Sequence, residues 1–279
     1  MVTRELFREM TASLSDYGVE NARFEAECLL GLLGFDRITL LIEPNAPVPD
    51  DIVAKARELL YRRTSGEPLQ YILGEWEFYG FPFKVGEGVL IPRQDTETLV
   101  EAAQGFLEKR GSEEKNCADL CAGSGCIGVS LARLCGCHVK CYELSEKAFG
   151  FLRENIALNG VEQLVEPIFA DVLSCGESGS FDLIVSNPPY LTREDMARLQ
   201  PEVAKEPEMA LFGGTDGLDF YRGILSRWMK RLKRGGMMAV EIGIGQESDV
   251  MQLFRENGLT ADCIKDACGI FRVVLGIKE

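Results

Sequence analysis

Short apolar runs alternate with amphipathic segments from about residue 116 to the C-terminus, and this alternation limits the fold more than any other feature. Each apolar run has the length of a buried strand, and each amphipathic segment spaces its apolar residues as a helix does. The pattern predicts a doubly wound α/β sheet that binds ligands at the carboxyl ends of its strands. The predicted strands lie near 116–121, 138–143, 164–170, 181–186, 236–242, 259–264 and 270–277. The predicted helices between them lie near 126–134, 146–159, 217–232 and 246–257.

The N-terminal part of the chain has only helical patterns. Apolar residues at Leu6, Met10 and Leu14 recur at helical spacing, which predicts a helix over 3–17. Further helices are predicted over 21–33, 37–42 and 50–63, the last one capped by Asp50. These segments predict a small all-α bundle.

The pattern changes at Pro68. Residues 75–85 alternate between apolar and polar and turn at Gly80, which predicts a β-hairpin. A helix capped by Asp95 or Thr96 is then predicted to run to about residue 109. The predicted organisation is a helical domain that serves in packing or in holding a partner, a linker with the hairpin, and an α/β domain. Their bounds are 1–67, 68–92 and 93–279.

Composition limits where the chain acts and what it binds. No apolar run has transmembrane length, and Arg4 and Glu5 interrupt any signal-peptide pattern at the N-terminus. The net charge of −14 argues against stable binding to nucleic acid, which needs a basic surface. We therefore expect a cytoplasmic protein without membrane contact, and we expect it to be a monomer.

Ten cysteines raise the question of disulfides or metal. Six of them lie between Cys117 and Cys141, but no Cys-x-x-Cys occurs. The nearest approach to a ligand cluster is 135–138, whose spacing fits no common zinc site. We expect reduced thiols that pack as small apolar residues, and no bound metal. His138 is the only histidine, which argues against Ser-His or Cys-His catalysis unless His138 itself is the base.

A glycine-rich loop follows the first predicted strand of the α/β part and opens a helix. Gly123, Gly125 and Gly128 form a Gly-x-Gly-x-x-Gly motif, and Glu143 lies twenty residues after Gly123 at the end of the second strand. Glycines let a backbone approach a ligand closely, and the acidic side chain accepts from both ribose hydroxyls. Nicotinamide and S-adenosylmethionine proteins share this arrangement, so the motif predicts a nucleotide-like cofactor without choosing between them.

The tetrapeptide 187–190, Asn-Pro-Pro-Tyr, follows the strand predicted over 181–186. Proline fixes φ and restricts the preceding residue, so the strand ends in a rigid lip. The Asn187 side-chain oxygen and the Pro188 carbonyl are predicted to accept both hydrogens of one planar –NH₂ group, which Tyr190 covers. Such a group is the amide of glutamine or asparagine, or the exocyclic amine of adenine, cytosine or guanine.

This lip decides the cofactor. A hydride transferase has no use for neutral acceptors around an amine, whereas a methyltransferase needs them, so the prediction is S-adenosylmethionine. Asp171 and Val172 end the third strand, where the adenine is expected. Asp171 is predicted to accept from the adenine amino group, and a turn role for Asp171 is nearly as well supported.

With these residues placed, the chain resembles the release factor glutamine methyltransferases, which act on the Gly-Gly-Gln glutamine of class 1 peptide chain release factors. Besides the glycine loop and 187–190, five segments carry the resemblance: 68–74, 91–97, 210–218, 241–243 and 269–272. It implies a seven-stranded Rossmann-like methyltransferase domain preceded by the helical bundle and the hairpin linker. The predicted cofactor-binding residues are Cys121, Ala122, Gly123, Ser124, Gly125, Glu143, Asp171, Val172 and Asn187. The predicted substrate-binding residues are Asn187, Pro188, Pro189 and Tyr190, of which Asn187 and Pro188 are expected to be catalytic.

Two positions depart from the family pattern. Glu143 stands where many relatives have Asp, and its longer side chain should still reach a ribose. Cys121-Ala122 replaces a commoner Gly-Thr or Cys-Thr pair, which removes a hydroxyl near the methionine end of the cofactor. Neither change is expected to prevent binding.

The implied reaction is methyl transfer from S-adenosylmethionine to the side-chain amide nitrogen, N5, of that glutamine in release factors. Three alternatives stay open: methylation of an exocyclic amine of DNA or RNA, methylation of a glutamine in a ribosomal protein, and cofactor binding without catalysis. Arg93 is expected to pair with either the cofactor carboxylate or Glu97. Glu206 is expected at the surface, and Asp216 is expected to cap the following helix.

Overall fold

The computed structural model describes residues 1–111, 115–175 and 179–279. They divide into two compact units. One unit comprises Met1–Glu75 together with the short segment Gln200–Lys205. The other comprises Trp76–Leu199 and Glu206–Glu279. Within this described part of the chain, no helix is both long and apolar enough to cross a membrane.

The first unit is helical. Its helices are α1 (Thr3–Tyr17), α2 (Ala22–Gly31), α3 (Arg37–Ile42), α4 (Asp50–Thr64) and α5 (Leu69–Leu73). Leu6, Met10 and Leu14 are buried along one face of α1, as their spacing predicts. Two features differ from expectation. Asp50 is the first residue of α4 and does not cap it, since Pro49 occupies that position without a side-chain bond. The short helix α5 has no counterpart in the sequence prediction.

The second unit contains a hairpin and a mixed sheet. Strands β1 (Glu75–Phe78) and β2 (Phe81–Lys84) form the hairpin. The sheet has seven strands in the order β5-β4-β3-β6-β7-β9-β8. They are β3 (Asn116–Leu120), β4 (His138–Glu143), β5 (Val165–Phe169), β6 (Phe181–Ser186), β7 (Leu232–Glu241), β8 (Leu259–Lys265) and β9 (Phe271–Lys278). All neighbours pair in parallel except β9, which runs antiparallel to β7 and β8.

Helices connect these strands. They are α6 (Glu97–Lys109), α7 (Cys126–Cys135), α8 (Glu146–Leu158), the single turn α9 (Arg193–Met196), α10 (Asp219–Trp228) and α11 (Glu247–Glu256). The strand residues alternate between two apolar cores on opposite faces of the sheet, because successive side chains of a strand point to opposite faces. Cys117, Val139 and Leu183 enter one core, and Ala118 and Ile184 enter the other. The predicted seven-stranded α/β fold is confirmed.

Helix α10 is shorter than the predicted helix over 217–232. It starts later because Gly217 has φ +74°, a left-handed conformation that does not continue a helix. It ends earlier, at Trp228. The Lys278 ammonium donates to the carbonyls of Met229 and Leu232 at 2.7 Å each, which satisfies backbone groups after the last helical turn.

All ten cysteines are free thiols. Cys117, Cys126, Cys137 and Cys141 are buried in one core, where they pack as small apolar residues. In the three described ranges, the structure contains no group of three or more His, Cys, Asp or Glu arranged to hold a metal ion.

Candidate active site

A cleft lies where the carboxyl ends of β3, β4 and β6 meet, the expected ligand position in such a sheet. Its empty volume is about 880 Å³, part of it open to solvent. Nine predicted site residues line it: Cys121, Ala122, Gly123, Ser124, Glu143, Asp171, Val172, Asn187 and Pro189. Arg93, Thr96, Tyr142, Met209 and Phe220 also line it. Gly125, Pro188 and Tyr190 are not among the residues that line the cleft.

The glycine loop between β3 and α7 is shaped by close packing. Gly125 has φ +82°, and a Cβ there would lie 2.4 Å from a Leu152 methyl. A Cβ on Gly128 would lie 2.4 Å from the Cys141 sulfur on β4. Gly125 therefore lets the loop approach α8, and Gly128 lets α7 approach the sheet. Gly123 has φ +57° with open space around the Cβ position, so its backbone is left accessible to a ligand.

Asp119 supports this loop from below. Its side chain is fully buried at the end of β3, and one carboxylate oxygen accepts from the Gly128 N–H at 2.9 Å. Burial raises the pKa of the Asp119 carboxyl to about 7, and the Glu143 charge adds to the rise, while the Gly128 N–H opposes it. Asp119 thus fixes the start of α7 without lining the cleft.

Glu143 ends β4 beside the loop. One of its carboxylate oxygens accepts from the Gly123 N–H at 2.7 Å. The other accepts from the N–H groups of Leu144 and Ser145 at 2.8 and 2.7 Å. Burial raises the pKa of Glu143, and the three N–H groups oppose that rise. Because a carboxylate offers about four acceptor sites, the side chain is held firmly and still has capacity for a ligand hydroxyl.

Asp171 forms a turn. One of its carboxylate oxygens accepts from the Leu173 N–H and the other from the Ser174 hydroxyl, both at 2.8 Å. The neighbouring Val172 is buried at the cleft wall, and its carbonyl accepts from the Trp228 indole at 2.9 Å. These contacts give Asp171 the turn role that the sequence suggested, and its predicted bond to adenine stays a prediction.

Asn187 follows the last residue of β6 and lines the cleft. Its Nδ2 donates to the Thr96 hydroxyl oxygen at 3.2 Å. Its Oδ1 receives no hydrogen bond from any described residue and is not a fully buried atom. The Pro188 carbonyl likewise accepts no hydrogen bond within the described ranges. These two neutral acceptors thus have no partner among the described residues, and Asn187 lines the same cleft as the glycine loop.

Tyr190 is fixed at both its backbone and its side chain. Its carbonyl accepts from the Gln246 amide at 3.1 Å, and its hydroxyl donates to Glu241 Oε1 at 3.4 Å. Burial raises the pKa of the Tyr190 hydroxyl, and the nearby Glu241 carboxylate raises it further. The ring is thus held in one position.

The glycines of segment 210–218 pack directly on this lip. A Cβ on Gly213 would lie 2.6 Å from the Pro189 carbonyl oxygen and from the Tyr190 Cα. One on Gly217 would lie 2.3 Å from the Tyr190 carbonyl oxygen. Only glycine allows this approach, which explains why the segment accompanies the Asn-Pro-Pro-Tyr sequence.

Two sequence expectations near the site are wrong, and a third is wrong in one of its two alternatives. Arg93 pairs with Glu206 and not with Glu97, while its predicted bond to the cofactor carboxylate stays a prediction. Glu206 is buried, not at the surface, and it also accepts from the Ile91 N–H at 3.0 Å. Thr96 precedes α6, but its hydroxyl makes no cap bond. Neither does Asp95 cap α6, because a 3₁₀ turn leads directly into the helix.

Asp216 lies just before α10. It accepts from the Leu218 N–H at 3.1 Å and forms an ion pair with Arg222. The residue at the cap position is Leu218, so Asp216 stabilises the approach to the helix and does not cap it.

Sequence reasoning also missed Glu241 as part of the site. This residue ends β7 next to the end of β6 and is buried. Its Oε2 accepts from the Thr96 hydroxyl at 2.5 Å. The available signal was an acidic residue directly after the apolar run 237–240, since adjacent parallel strands end at the same edge.

Two family models match the chain. The PrmC N-terminal domain matches residues 5–74, and the methyltransferase small domain matches residues 94–211. Among solved structures, a methyltransferase from Pyrococcus furiosus aligns with TM-score 0.53 and 18% identity, covering 81% of this chain and 98% of that one. The hMettl16 catalytic domain, solved with an RNA hairpin of the MAT2A 3′UTR, aligns with TM-score 0.58 and 13% identity, covering 82% of each chain. At these identities the structures share the fold.

Curated relatives match over nearly the whole chain. A release factor glutamine methyltransferase of Geobacter sulfurreducens is 43% identical over 274 residues, which are 94% of this chain and 92% of the relative. One of Clostridium botulinum is 36% identical over the full length of both chains. Both matches include the helical N-terminal part as well as the α/β part. The chain therefore belongs to the release factor glutamine methyltransferase family.

Proposed function

We propose that this enzyme transfers the methyl group of S-adenosylmethionine to the side-chain amide nitrogen of the Gly-Gly-Gln glutamine in class 1 release factors. The observation that carries the proposal is the free Oδ1 of Asn187 at the rim of a cleft whose floor is the glycine loop. The relatives named release factor glutamine methyltransferase support the choice of substrate.

The residues of the cleft fit the cofactor. Glu143 presents a carboxylate that three backbone N–H groups hold in place, and its remaining acceptor capacity suits a ribose hydroxyl. Gly123 leaves open space where a side chain would stand, so the methionine part can approach the backbone. Ala122, Val172 and Phe220 give apolar walls. The cofactor supplies a methyl group on a positively charged sulfur.

Asn187 and Pro188 orient the nucleophile. An amide nitrogen is a weak nucleophile because its lone pair is delocalised, so positioning and exclusion of water carry most of the rate. Asn187 Oδ1 and the Pro188 carbonyl accept the two N–H groups, which turns the face of the nitrogen toward the methyl donor. Both acceptors are neutral, so no charge is buried beside the nitrogen. The amide becomes acidic only as the new bond forms, so no strong base is needed beforehand.

A labelled methyl-transfer assay tests this function. The enzyme is offered intact class 1 release factor, release factor with the Gly-Gly-Gln glutamine replaced by asparagine, ribosomal protein, and duplex or single-stranded DNA or RNA. We expect label on the intact release factor only. Label on nucleic acid or ribosomal protein and none on release factor would replace the proposed substrate.

The helical unit is proposed to recognise the protein substrate, with residues 1–67 as the recognition domain, 68–92 as the linker and 93–279 as the methyltransferase domain. Helix α3 has no buried residue, although its sequence is largely apolar. Ile38, Leu41 and Ile42 share one side of it and are 65%, 67% and 72% exposed. An apolar stripe that the unit itself leaves uncovered suits a protein partner.

Replacing Leu41 by Asp should raise the KM for intact release factor by roughly tenfold to a hundredfold, because burying a leucine side chain contributes about 1.5–3 kcal/mol. Methylation of a short Gly-Gly-Gln peptide should not change. The matched control is Leu158→Asp, at an exposed leucine of α8 in the other unit, which should leave both rates unaltered. Equal KM values for wild type and Leu41→Asp on intact release factor would exclude this face.

The remaining expectations follow from this function. We propose that the enzyme acts in the cytoplasm, where release factors work, as a monomer without stable nucleic-acid binding. The net charge of −14 supports the last point. Sedimentation analysis with and without RNA measures the oligomeric state and the binding to nucleic acid.

A further inference from the structure

A chain of hydrogen bonds links Asn187 to a buried carboxylate. The Thr96 hydroxyl donates to Glu241 Oε2 at 2.5 Å. The Thr96 hydroxyl oxygen in turn accepts from Asn187 Nδ2 at 3.2 Å. Thr96 and Glu241 are 1% and 2% exposed. Glu241 Oε1 accepts from the Tyr190 hydroxyl, so this one carboxylate is tied to both ends of the tetrapeptide 187–190.

The Thr96 hydroxyl takes part in these hydrogen bonds and does not cap helix α6. A threonine at the start of a helix ordinarily accepts from a backbone N–H of the first turn. Thr96 makes no such bond. Its hydroxyl reaches instead across to β7, 145 residues away in the sequence. A local role in α6 therefore does not explain this residue.

The direction of the hydrogen bonds decides which way the Asn187 amide faces. A hydroxyl has a single proton, and the ionised Glu241 carboxylate can only accept, so the Thr96 proton points to Glu241. The Thr96 oxygen can then only accept from Asn187. The –NH₂ end of the amide must face Thr96, and Oδ1 must face away from it.

We propose that Thr96 and Glu241 are positioning residues that hold the Asn187 side-chain amide with its oxygen presented to the substrate –NH₂ group. The inference rests on the proposed function, in which Asn187 Oδ1 accepts from that group. If the Asn187 amide were inverted, its –NH₂ group would face the substrate –NH₂ group. The substrate nitrogen would then lose one of its two acceptors. The buried hydrogen bonds of Thr96 and Glu241 thus decide whether Asn187 presents an acceptor or a donor to the substrate.

Protonation of Glu241 would remove this constraint. A protonated carboxyl donates to the Thr96 oxygen, and the Thr96 proton is then free to turn toward Asn187. Burial raises the pKa of Glu241 to about 7, and Asp95 also raises it, whereas the Thr96 hydroxyl, Arg272 and Tyr190 oppose the rise. The Tyr221 hydroxyl faces the same residue through the Glu241 carbonyl at 2.9 Å. The amide orientation should therefore depend on pH in the cofactor-free enzyme.

Paired substitutions at Thr96 test the proposal. Thr96→Val keeps the shape of the side chain and removes the hydroxyl, whereas Thr96→Ser keeps the hydroxyl. We expect Thr96→Val to lower the single-turnover rate of methyl transfer to release factor about tenfold at saturating cofactor. Thr96→Ser should restore most of that rate, and the thermal unfolding midpoints of the two variants should agree closely. Equal rates for Thr96→Val and wild type would overturn the proposal.

An NMR measurement gives a readout that does not need catalysis. The Asn187 side-chain ¹⁵N–¹H₂ signals are assigned by their loss in Asn187→Ala. In the cofactor-free wild type they should shift with a midpoint near pH 7, and in Glu241→Gln this titration should be absent. A titration that persists in Glu241→Gln would show that another group turns the Asn187 amide and would overturn the role of Glu241.

Different results would contradict the positioning role of Thr96 and the proposed methyl transfer. If Asn187→Ala loses activity while Thr96→Val keeps it, the positioning chain is wrong and the proposed function stands. If the wild type does not methylate release factor, the proposed function fails. The NMR titration then still decides whether Glu241 controls the Asn187 amide.

Discussion

Replacing Asn187 by Ala should lower the single-turnover rate of glutamine methylation by about a hundredfold or more, while the affinity for S-adenosylmethionine changes little. The rate falls because one of two preorganised acceptors for the substrate N–H groups is lost at the reacting atom. The affinity is kept because Glu143 and the glycine loop form their hydrogen bonds without Asn187. Rapid-quench kinetics on release factor and calorimetry with the cofactor measure the two quantities separately.

Asn187→Asp sharpens this test because it keeps an oxygen acceptor of the same size. A simple acceptor role alone would leave partial activity. The structure argues for a larger loss, since a carboxylate at 187 cannot donate to the Thr96 oxygen, whose proton is committed to Glu241. A buried charge beside the sulfonium would also bind the cofactor ground state more tightly. We therefore expect a rate as low as that of Asn187→Ala, together with cofactor affinity at or above the wild-type value.

The control for both variants is Gln252→Ala, an exposed position in α11 whose amide bonds only to Glu256 on the same helix. It should match the wild type in rate and affinity. If Asn187→Ala methylates release factor at the wild-type rate, the tetrapeptide does not orient the substrate and the proposed mechanism is wrong.

The α/β fold could be predicted from the sequence because its signals are local. Strands such as β6 are short, mostly apolar runs, and helices such as α8 carry a stripe of apolar residues, so each element is indicated by its own residues. The glycine loop and the Asn187–Tyr190 lip also lie at strand ends, where a parallel sheet collects its ligands. The cleft accordingly contains most of the residues that were predicted for it.

The bonds that hold those residues were not predictable, because their partners lie far apart in the sequence. Thr96 had a plausible local role as a helix cap, and only the sheet order places it beside Glu241. Glu206 was equally ambiguous, since an acidic residue in a charged segment is usually at the surface. Its pairing with Arg93 depends on a contact across 113 residues. Local chemistry permits several partners for such groups, and the tertiary fold selects one.

Glu143 is the residue on which cofactor affinity should depend most. Glu143→Ala is expected to weaken S-adenosylmethionine binding by about 1.5–3 kcal/mol, a rise in Kd of roughly tenfold to a hundredfold, because a charge-assisted bond to the ribose is lost. Nicotinamide nucleotides should not bind to the wild type or the variant. Calorimetry at fixed pH and salt measures these affinities directly.

A second effect contributes to the affinity loss in Glu143→Ala, because the Glu143 carboxylate also accepts from the N–H groups of Gly123, Leu144 and Ser145. Part of the loss in Glu143→Ala would then come from a loosened loop and not from a missing ribose bond. Glu143→Asp separates the two effects: it keeps the charge and the hydroxyl-accepting oxygens but withdraws them from some of these N–H groups. If ribose binding dominates, Glu143→Asp should recover most of the affinity even where its thermal unfolding midpoint falls as far as that of Glu143→Ala. If affinity instead follows the unfolding midpoint in both variants, Glu143 acts through the loop, and a wild-type Kd in a folded Glu143→Ala would remove it from the cofactor site altogether.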